Sequence, residues 1–137
     1  MATLTATKAA TGASTKGLRV GLVAVTSTYS VAGVLSAGDV IQMVKVPANA
    51  TPIYVALSAV QTVAGSLVTV GDGISAARYV ASIGASAGMA VQPINAQSFT
   101  PYTYSVDDTI DITIASMSLT LSAGSYTVFA IYSMDVA

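Results

Sequence analysis

The chain has 137 residues, a length typical of one domain, and 53% of them are hydrophobic while only 8% are charged. It contains no cysteine and no histidine, which excludes a disulfide framework, a thiolate zinc site and a Ser-His-Asp triad. With five cations and a net charge of −1, the chain lacks the strong basic face that nucleic-acid binding requires. No apolar run in the sequence is long enough for a membrane helix.

Residues 1–17 differ in composition from the rest of the chain, because they are mostly small and polar and, after Met1, Leu4 is their only large apolar residue. We predict an extended N-terminal arm that could reach about 55–60 Å. Lys8, Lys16 and Arg19 form the only positive cluster in the sequence. We expect Leu4 and these three cations to bind a partner protein, the alternative being a solvated tail.

A period of two dominates residues 18–137 and predicts β-strands. The clearest example is TIDITI, in which Ile110, Ile112 and Ile114 alternate with polar residues. The predicted strands are 19–26, 40–46, 53–59, 67–70, 78–83, 102–106, 109–114 and 126–134, with 116–121 as a possible ninth. About eight short strands with no convincing helical period predict an antiparallel β-sandwich. Its two sheets should meet over Ile53, Val55, Leu57, Ile110, Ile112, Ile114, Val128 and Ala130.

Asp107, Asp108 and Asp111 cluster in the motif VDDTID. Three carboxylates can bind Ca²⁺, and two of them can share a proton for acid–base chemistry. The motif also fits a turn at Asp107-Asp108 that leads into a strand, with Asp111 on the solvent face of that strand. We favour the turn, because a calcium loop would add a glycine and carbonyl ligands. No metal site is therefore predicted.

Two further patterns have a structural and a functional interpretation. Gly71-Asp72-Gly73 resembles a phosphate loop, but a strand rather than a helix should follow it, which favours a turn. A set of tyrosines could form a platform for sugar rings, although packing in the core with the hydroxyl at the rim is the more common arrangement. These tyrosines are Tyr54, Tyr79, Tyr102, Tyr104 and Tyr132.

Four strings in the sequence carry a resemblance to a known class of proteins: SAGDVIQMVKVPANATPIYVALS, VGDGISAARYV, YTYSVDDTIDITI and AGSYTVFAIYSMD. They resemble the jelly-roll capsid cement, or decoration, proteins of tailed bacteriophages. This resemblance implies a jelly-roll-like sandwich, a position on the outside of a capsid, and assembly as dimers or trimers. It implies no catalytic or cofactor motif.

The expected function is that of a structural virion protein, made in the host cytoplasm, that cements neighbouring major capsid protein subunits. Its expected partners are the major capsid protein and further copies of itself, as a homodimer or homotrimer, with no nucleic acid, membrane, cofactor or enzymatic activity. One alternative is a tail or fibre module that binds host surface glycans through its tyrosines. Another is an Asp-dependent hydrolase or calcium-binding module built on Asp107, Asp108 and Asp111.

Overall fold

β-strands account for all the regular secondary structure in the described part of the chain, as its β-branched and alternating composition favours. The computed structural model describes residues 1–5, 21–61, 66–85, 88–93, 102–117 and 123–134. Within these ranges there is no helix, and hence none long and apolar enough to cross a bilayer. The strands are β1 (Thr3–Thr5), β2 (Gly21–Ser30), β3 (Val40–Val46), β4 (Ala50–Gln61), β5 (Ser66–Gly71), β6 (Val80–Ala85), β7 (Gly88–Pro93), β8 (Asp108–Ser116) and β9 (Gly124–Met134).

The strands form two sheets that face each other. One sheet has four strands in the order β2-β9-β4-β7, and the other has five in the order β1-β3-β8-β5-β6. All pairings are antiparallel except that of β1 with β3. Without β1, eight strands remain in two four-stranded sheets, and the chain crosses between the sheets repeatedly. This is the jelly-roll arrangement, so the predicted fold class is confirmed.

The core lies between the two sheets and consists of every second residue of the long strands. Seven of the eight residues predicted there are fully buried, namely Val55, Leu57, Ile110, Ile112, Ile114, Val128 and Ala130. Four tyrosines join this core: Tyr79, Tyr104, Tyr126 and Tyr132. Alternation in the sequence therefore identified the inner faces of β4, β8 and β9 correctly.

Ile53 is the exception, and its predicted place in the core is wrong. The pairing of β4 with β9 shifts between Pro52 and Tyr54, so Ile53 is an extra residue in a β-bulge. As a result Pro52 is buried and Ile53 is 43% exposed. The alternation of buried and exposed residues that holds from Val55 onward is therefore interrupted at the bulge.

The predicted strand positions agree with the structure in most of the chain. β3 has the predicted bounds of 40–46, whereas β7 was not predicted. Residues 102–106 alternate like a strand but form an irregular segment, since the backbone of Tyr104 pairs with Asn49 and Ala50 at the start of β4. The possible ninth strand at 116–121 lies mostly outside the described residues.

The beginning of the chain does not extend away from the domain. Thr3–Thr5 pairs in parallel with Val40–Gln42 at the edge of the five-stranded sheet, and Leu4 packs partly buried against the core. Residues 3–5 of the predicted arm therefore contact the domain. Residues 6–17, with Lys8 and Lys16, and Arg19 lie outside the described residues, so the rest of the arm stays a prediction.

The bulge yields a direct test of the core assignment. Leu57→Ala should lower the free energy of unfolding by about 3 kcal/mol, because Leu57 is fully buried and its removal leaves a cavity. Ile53→Ala should cost less than about 1 kcal/mol, because Ile53 projects from the bulge toward solvent. Urea denaturation of both variants measures the difference, and equal losses would contradict the register described here.

Candidate interaction surfaces

The three aspartates of the VDDTID motif do not converge on one point. Asp107 accepts a hydrogen bond from the Ala48 N–H (3.0 Å) and lies 3.5 Å from the Lys45 ammonium. Asp108 accepts a hydrogen bond from the Thr109 N–H at 2.8 Å. Among the described residues, no group of three His, Cys, Asp or Glu side chains is arranged to hold a metal ion. The motif therefore acts as the predicted turn into β8.

Asp111 is buried, so its predicted place on the solvent face is wrong. It is only 6% exposed, and its Oδ1 has no hydrogen-bond partner among the described residues. Burial, together with the nearby carboxylates of Asp108 and Asp72, raises the pKa of Asp111 to about 6. A carboxylate near neutral pH is therefore a destabilising element of the five-stranded sheet.

The loop between β5 and β6 covers this region and is organised by Asp72. The Asp72 Oδ1 accepts hydrogen bonds from the backbone N–H groups of Ile74 (3.0 Å) and Ser75 (2.7 Å). Its Oδ2 accepts from the Tyr104 hydroxyl (3.0 Å) and from the Arg78 guanidinium. Burial acts to raise the pKa of Asp72, but these donors outweigh it and hold the pKa below its usual value. Gly71-Asp72-Gly73 is thus a structural loop, as predicted.

Gly71 allows the loop to fold back on the sheet. A Cβ at Gly71 would lie 1.9 Å from the Ser75 carbonyl oxygen, so no other residue fits there without moving the backbone. Gly71 is also the register partner of Asp111 on β8. Because Asp72 directly follows Gly71, this register brings the Asp72 carboxylate near enough to Asp111 to help raise the pKa of Asp111.

The tyrosines do not form one exposed platform. Tyr79, Tyr104 and Tyr132 are buried, and the hydroxyls of Tyr79 and Tyr104 lie 2.6 Å apart. Burial raises the pKa of both hydroxyls, so they stay protonated and no phenolate is available as a base or nucleophile. Tyr102 is covered by the Arg78 guanidinium, 3.7 Å from its ring centroid. The prediction that these tyrosines pack in the core is confirmed for the three buried rings. Of the five tyrosines considered for a sugar platform, only Tyr54 is exposed.

The outer face of the four-stranded sheet is uncharged and partly apolar. None of the residues in β2, β4, β7 and β9 is charged. Tyr54 and Phe129 meet edge to face at the centre of this surface, with ring centroids 6.1 Å apart, and Ile131 pairs with Tyr54 in the register. Leu22 is 69% exposed and Val60 is 47% exposed at its margins. We call this surface the outer sheet face.

The edge of the five-stranded sheet holds a second surface, where the first residues of the chain bind. The Asp39 Oδ1 accepts a hydrogen bond from the Ala2 N–H (2.9 Å), and the Val40 N–H donates to the Ala2 carbonyl (2.8 Å). Asp39 is 6% exposed, and hydrogen bonds from the Ser36 and Ala2 N–H groups lower its pKa. We call this edge, with Asp39 and β3, the strand slot.

Sequence reasoning missed two of these features and found a third only in part. Asp72 was predicted only as part of a turn and Asp39 was not singled out, although each carboxylate accepts hydrogen bonds from two backbone N–H groups. Self-association was expected, but no surface was assigned to it. Of the predicted partner-binding residues, Leu4 lies in the strand slot, while Lys8, Lys16 and Arg19 are outside the described residues.

Comparison with known proteins yields matches only among solved structures. No protein-family model and no curated protein sequence matches this chain. A chain in the capsid of Ralstonia phage GP4 has a TM-score of 0.75 at 15% identity, with 98% of this chain and 99% of that chain covered. A chain in the capsid asymmetric unit of cyanophage Pam1 has a TM-score of 0.67 at 21% identity, covering 90% and 92%.

A third, more distant match comes from the acidic stable capsid structure of Helicobacter pylori bacteriophage KHP30, with a TM-score of 0.52 at 16% identity. It covers 82% of this chain and 93% of that chain. At these identities the similarity establishes the fold. The described chain is therefore a jelly roll of the kind found in bacteriophage capsid structures, with neither a histidine nor a cysteine to serve as catalytic base or nucleophile.

The buried Asp111 predicts an unusual dependence of stability on pH. Its folded pKa lies above the ordinary value near 3.8, so the folded state loses stability as pH rises from about 4 through 6. Asp111→Asn removes that loss and should make the protein about 2 kcal/mol more stable than the parent at pH 8, with little difference at pH 4.

Thermal or urea unfolding at several pH values measures this effect. Asp107→Asn is the matched control, because the Ala48 N–H and Lys45 lower the pKa of Asp107. That variant should lose stability above pH 4 rather than gain it. An Asp111→Asn variant no more stable than the parent at pH 8 would show that Asp111 is accommodated as a carboxylate.

Proposed function

We propose that this chain is a structural virion protein that binds the outside of a bacteriophage capsid and cements neighbouring major capsid protein subunits. Support comes from the fold, whose similar structures are chains in the capsids of phages GP4 and Pam1. Further support comes from chemistry, since the buried carboxylates of Asp39 and Asp72 hold chain segments in place through hydrogen bonds from backbone N–H groups. A protein of this kind acts through its surfaces.

The uncharged outer sheet face is the observation that carries this proposal. Charged side chains are costly to bury at the centre of an interface, and this surface offers none. Three strands of 10 to 12 residues and the six-residue β7 give a face of roughly 20 by 30 Å. That size approaches the roughly 800 Å² per partner that a standard interface buries.

The partner of the outer sheet face in this proposal is a second copy of the chain. An uncharged surface meets its own copy without repulsion, and a twofold axis makes every contact reciprocal. Two such faces would pack as sheets about 10 Å apart, with Tyr54 and Phe129 near the axis. The self-associated protein would then present several arms to the shell.

The arm is the proposed contact with the major capsid protein. Lys8, Lys16 and Arg19 account for three of the five cations in the chain. They would bind acidic groups on the shell, while the small residues between them allow the backbone to lie close to it. Repetition of weak contacts over a symmetric shell would strengthen them through avidity.

The decisive experiment measures binding to shells purified without this chain. Added protein should decorate them at defined symmetry positions in a cryo-EM map and should raise the temperature at which they disrupt. Density confined to the tail or to fibres would reject the capsid proposal in favour of the glycan-binding alternative. Absence of density from the whole particle would reject a virion role.

The outer sheet face provides a test of self-association. Phe129→Lys should weaken the oligomer at least tenfold, about 1.4 kcal/mol, because it places a charge at the centre of the face. Val106→Lys is the matched control, since Val106 is 65% exposed and lies outside this sheet. Sedimentation velocity over a concentration series measures the change. A parent protein that is monomeric at all concentrations would contradict the proposed self-association.

The arm is tested by removing its charges. Replacement of Lys8, Lys16 and Arg19 by Gln should lower the affinity for shells about tenfold at low salt and flatten its salt dependence. Lys45→Gln is the control, because Lys45 lies in β3 and pairs with Asp107. Both proteins should melt at the parent temperature. Unchanged shell binding by the triple variant would mean that attachment does not use these cations.

A further inference from the structure

The strand slot is held in place by hydrogen bonds that do not involve β1. The Gly38 N–H donates to the Ile114 carbonyl (2.8 Å), and the Ile114 N–H donates to the Asp39 carbonyl (2.9 Å). The Asp39 Oδ2 accepts a hydrogen bond from the Ser36 N–H (2.9 Å). The slot is thereby anchored to β8 in the middle of the sheet. It presents a carboxylate and an edge strand to whichever chain segment binds there.

The segment in the slot is short and held by few groups. Three residues of β1 pair with β3, and Leu4 is the one large apolar side chain among them. The Ala2 N–H and carbonyl are both bound, one to Asp39 and the other to Val40. A strand of this length can leave and rebind without unfolding the eight-stranded sandwich, because no other described strand pairs with it.

The chain between β1 and β2 is much longer than the path it has to span within one domain. Thr5 lies beside Gln42, while Gly21 and Ala50 both lie opposite Met134, so β2 begins near the far end of β3. Half a strand and one sheet spacing separate these points, roughly 20 Å. The sixteen peptide links from Thr5 to Gly21 can span about 53–58 Å.

We propose that the strand slot of one copy binds residues 1–5 of a neighbouring copy in the assembled oligomer. This inference rests on the self-association proposed above. If two copies pack through their outer sheet faces, the slot of one copy and Gly21 of the other are separated by about two sheet spacings and half a strand. The connecting chain can cover that distance, roughly 35 Å, with length to spare.

Exchange preserves every contact of β1 and adds a link between copies. The same hydrogen bonds to Asp39 and Val40 form whichever copy supplies the strand, so exchange costs no contacts. Each copy would then be joined to its neighbour by an intermolecular strand as well as by the outer sheet face. Recognition is by β-augmentation, in which the edge of a sheet accepts one more strand.

Cysteine pairs test this exchange, because the chain has no cysteine of its own. Thr3 and Val40 are register partners, at a separation that a disulfide can span. Full-length Thr3→Cys and Val40→Cys chains, carrying different tags, are co-expressed, purified and oxidised. We expect a disulfide-linked heterodimer on a non-reducing gel, and the double variant in one chain should form covalent dimers as well.

Thr69 and Thr113 supply the matched control. They are register partners on β5 and β8, which belong to the five-stranded sheet of one copy and lie away from the outer sheet face. Co-expressed Thr69→Cys and Thr113→Cys chains should therefore give at least tenfold less heterodimer than the first pair. The double variant of this pair should form its disulfide within one chain.

The outcomes separate the inference from the proposal it rests on. Exchange would be overturned if the protein forms an oligomer but the Thr3→Cys and Val40→Cys chains give only the control level of heterodimer. The double variant would then form its disulfide within one chain, and the proposed self-association would stand. Leu4→Asp in the donor chain should lower the heterodimer yield at least fivefold without changing the melting of the sandwich. A monomeric parent protein would instead overturn the proposed self-association.

Discussion

The pairing of β4 with β9 is the interaction on which the rest of this structure depends. These are the two longest strands, and their register runs from Ala50 opposite Met134 to Gln61 opposite Gly124. Because side chains alternate along a strand, this one register decides which residues of the four-stranded sheet face the core. A shift by one residue would bury Phe129 and Ile131 and expose the core residues Val128 and Ala130.

The two sheets have different chemistry because the few charged groups of the strands lie on one side of the sandwich. Lys45, Asp108 and Asp111 belong to β3 and β8, whereas the four-stranded sheet has none. Buried polar groups on the charged side organise a loop around Asp72 and a slot around Asp39. The strands of the four-stranded sheet carry no charged side chain, which suits its outer face to contact with another protein surface.

The sequence was sufficient to predict the fold class and most of the core, because alternation of apolar residues is a local signal. It failed where a local signal is misleading. The bulge at Ile53 reverses the alternation through backbone geometry, and Asp111 is buried opposite Gly71, where a segment distant in sequence folds back on the sheet. The parallel pairing of β1 with β3 joins segments that no periodicity relates. The outer sheet face was predictable in composition but not in position.

The topology also has a consequence for the order of synthesis. β9 follows every other described strand, yet it occupies an interior position in its sheet, between β2 and β4. A ribosome that releases residues from the N-terminus onward therefore exposes β2 and β4 long before the strand that joins them. Neither the four-stranded sheet nor its outer face can form until Gly124–Met134 has emerged. The four-stranded sheet therefore forms only after β9 has been synthesised, so chains that lack β9 have no complete face with which to associate prematurely.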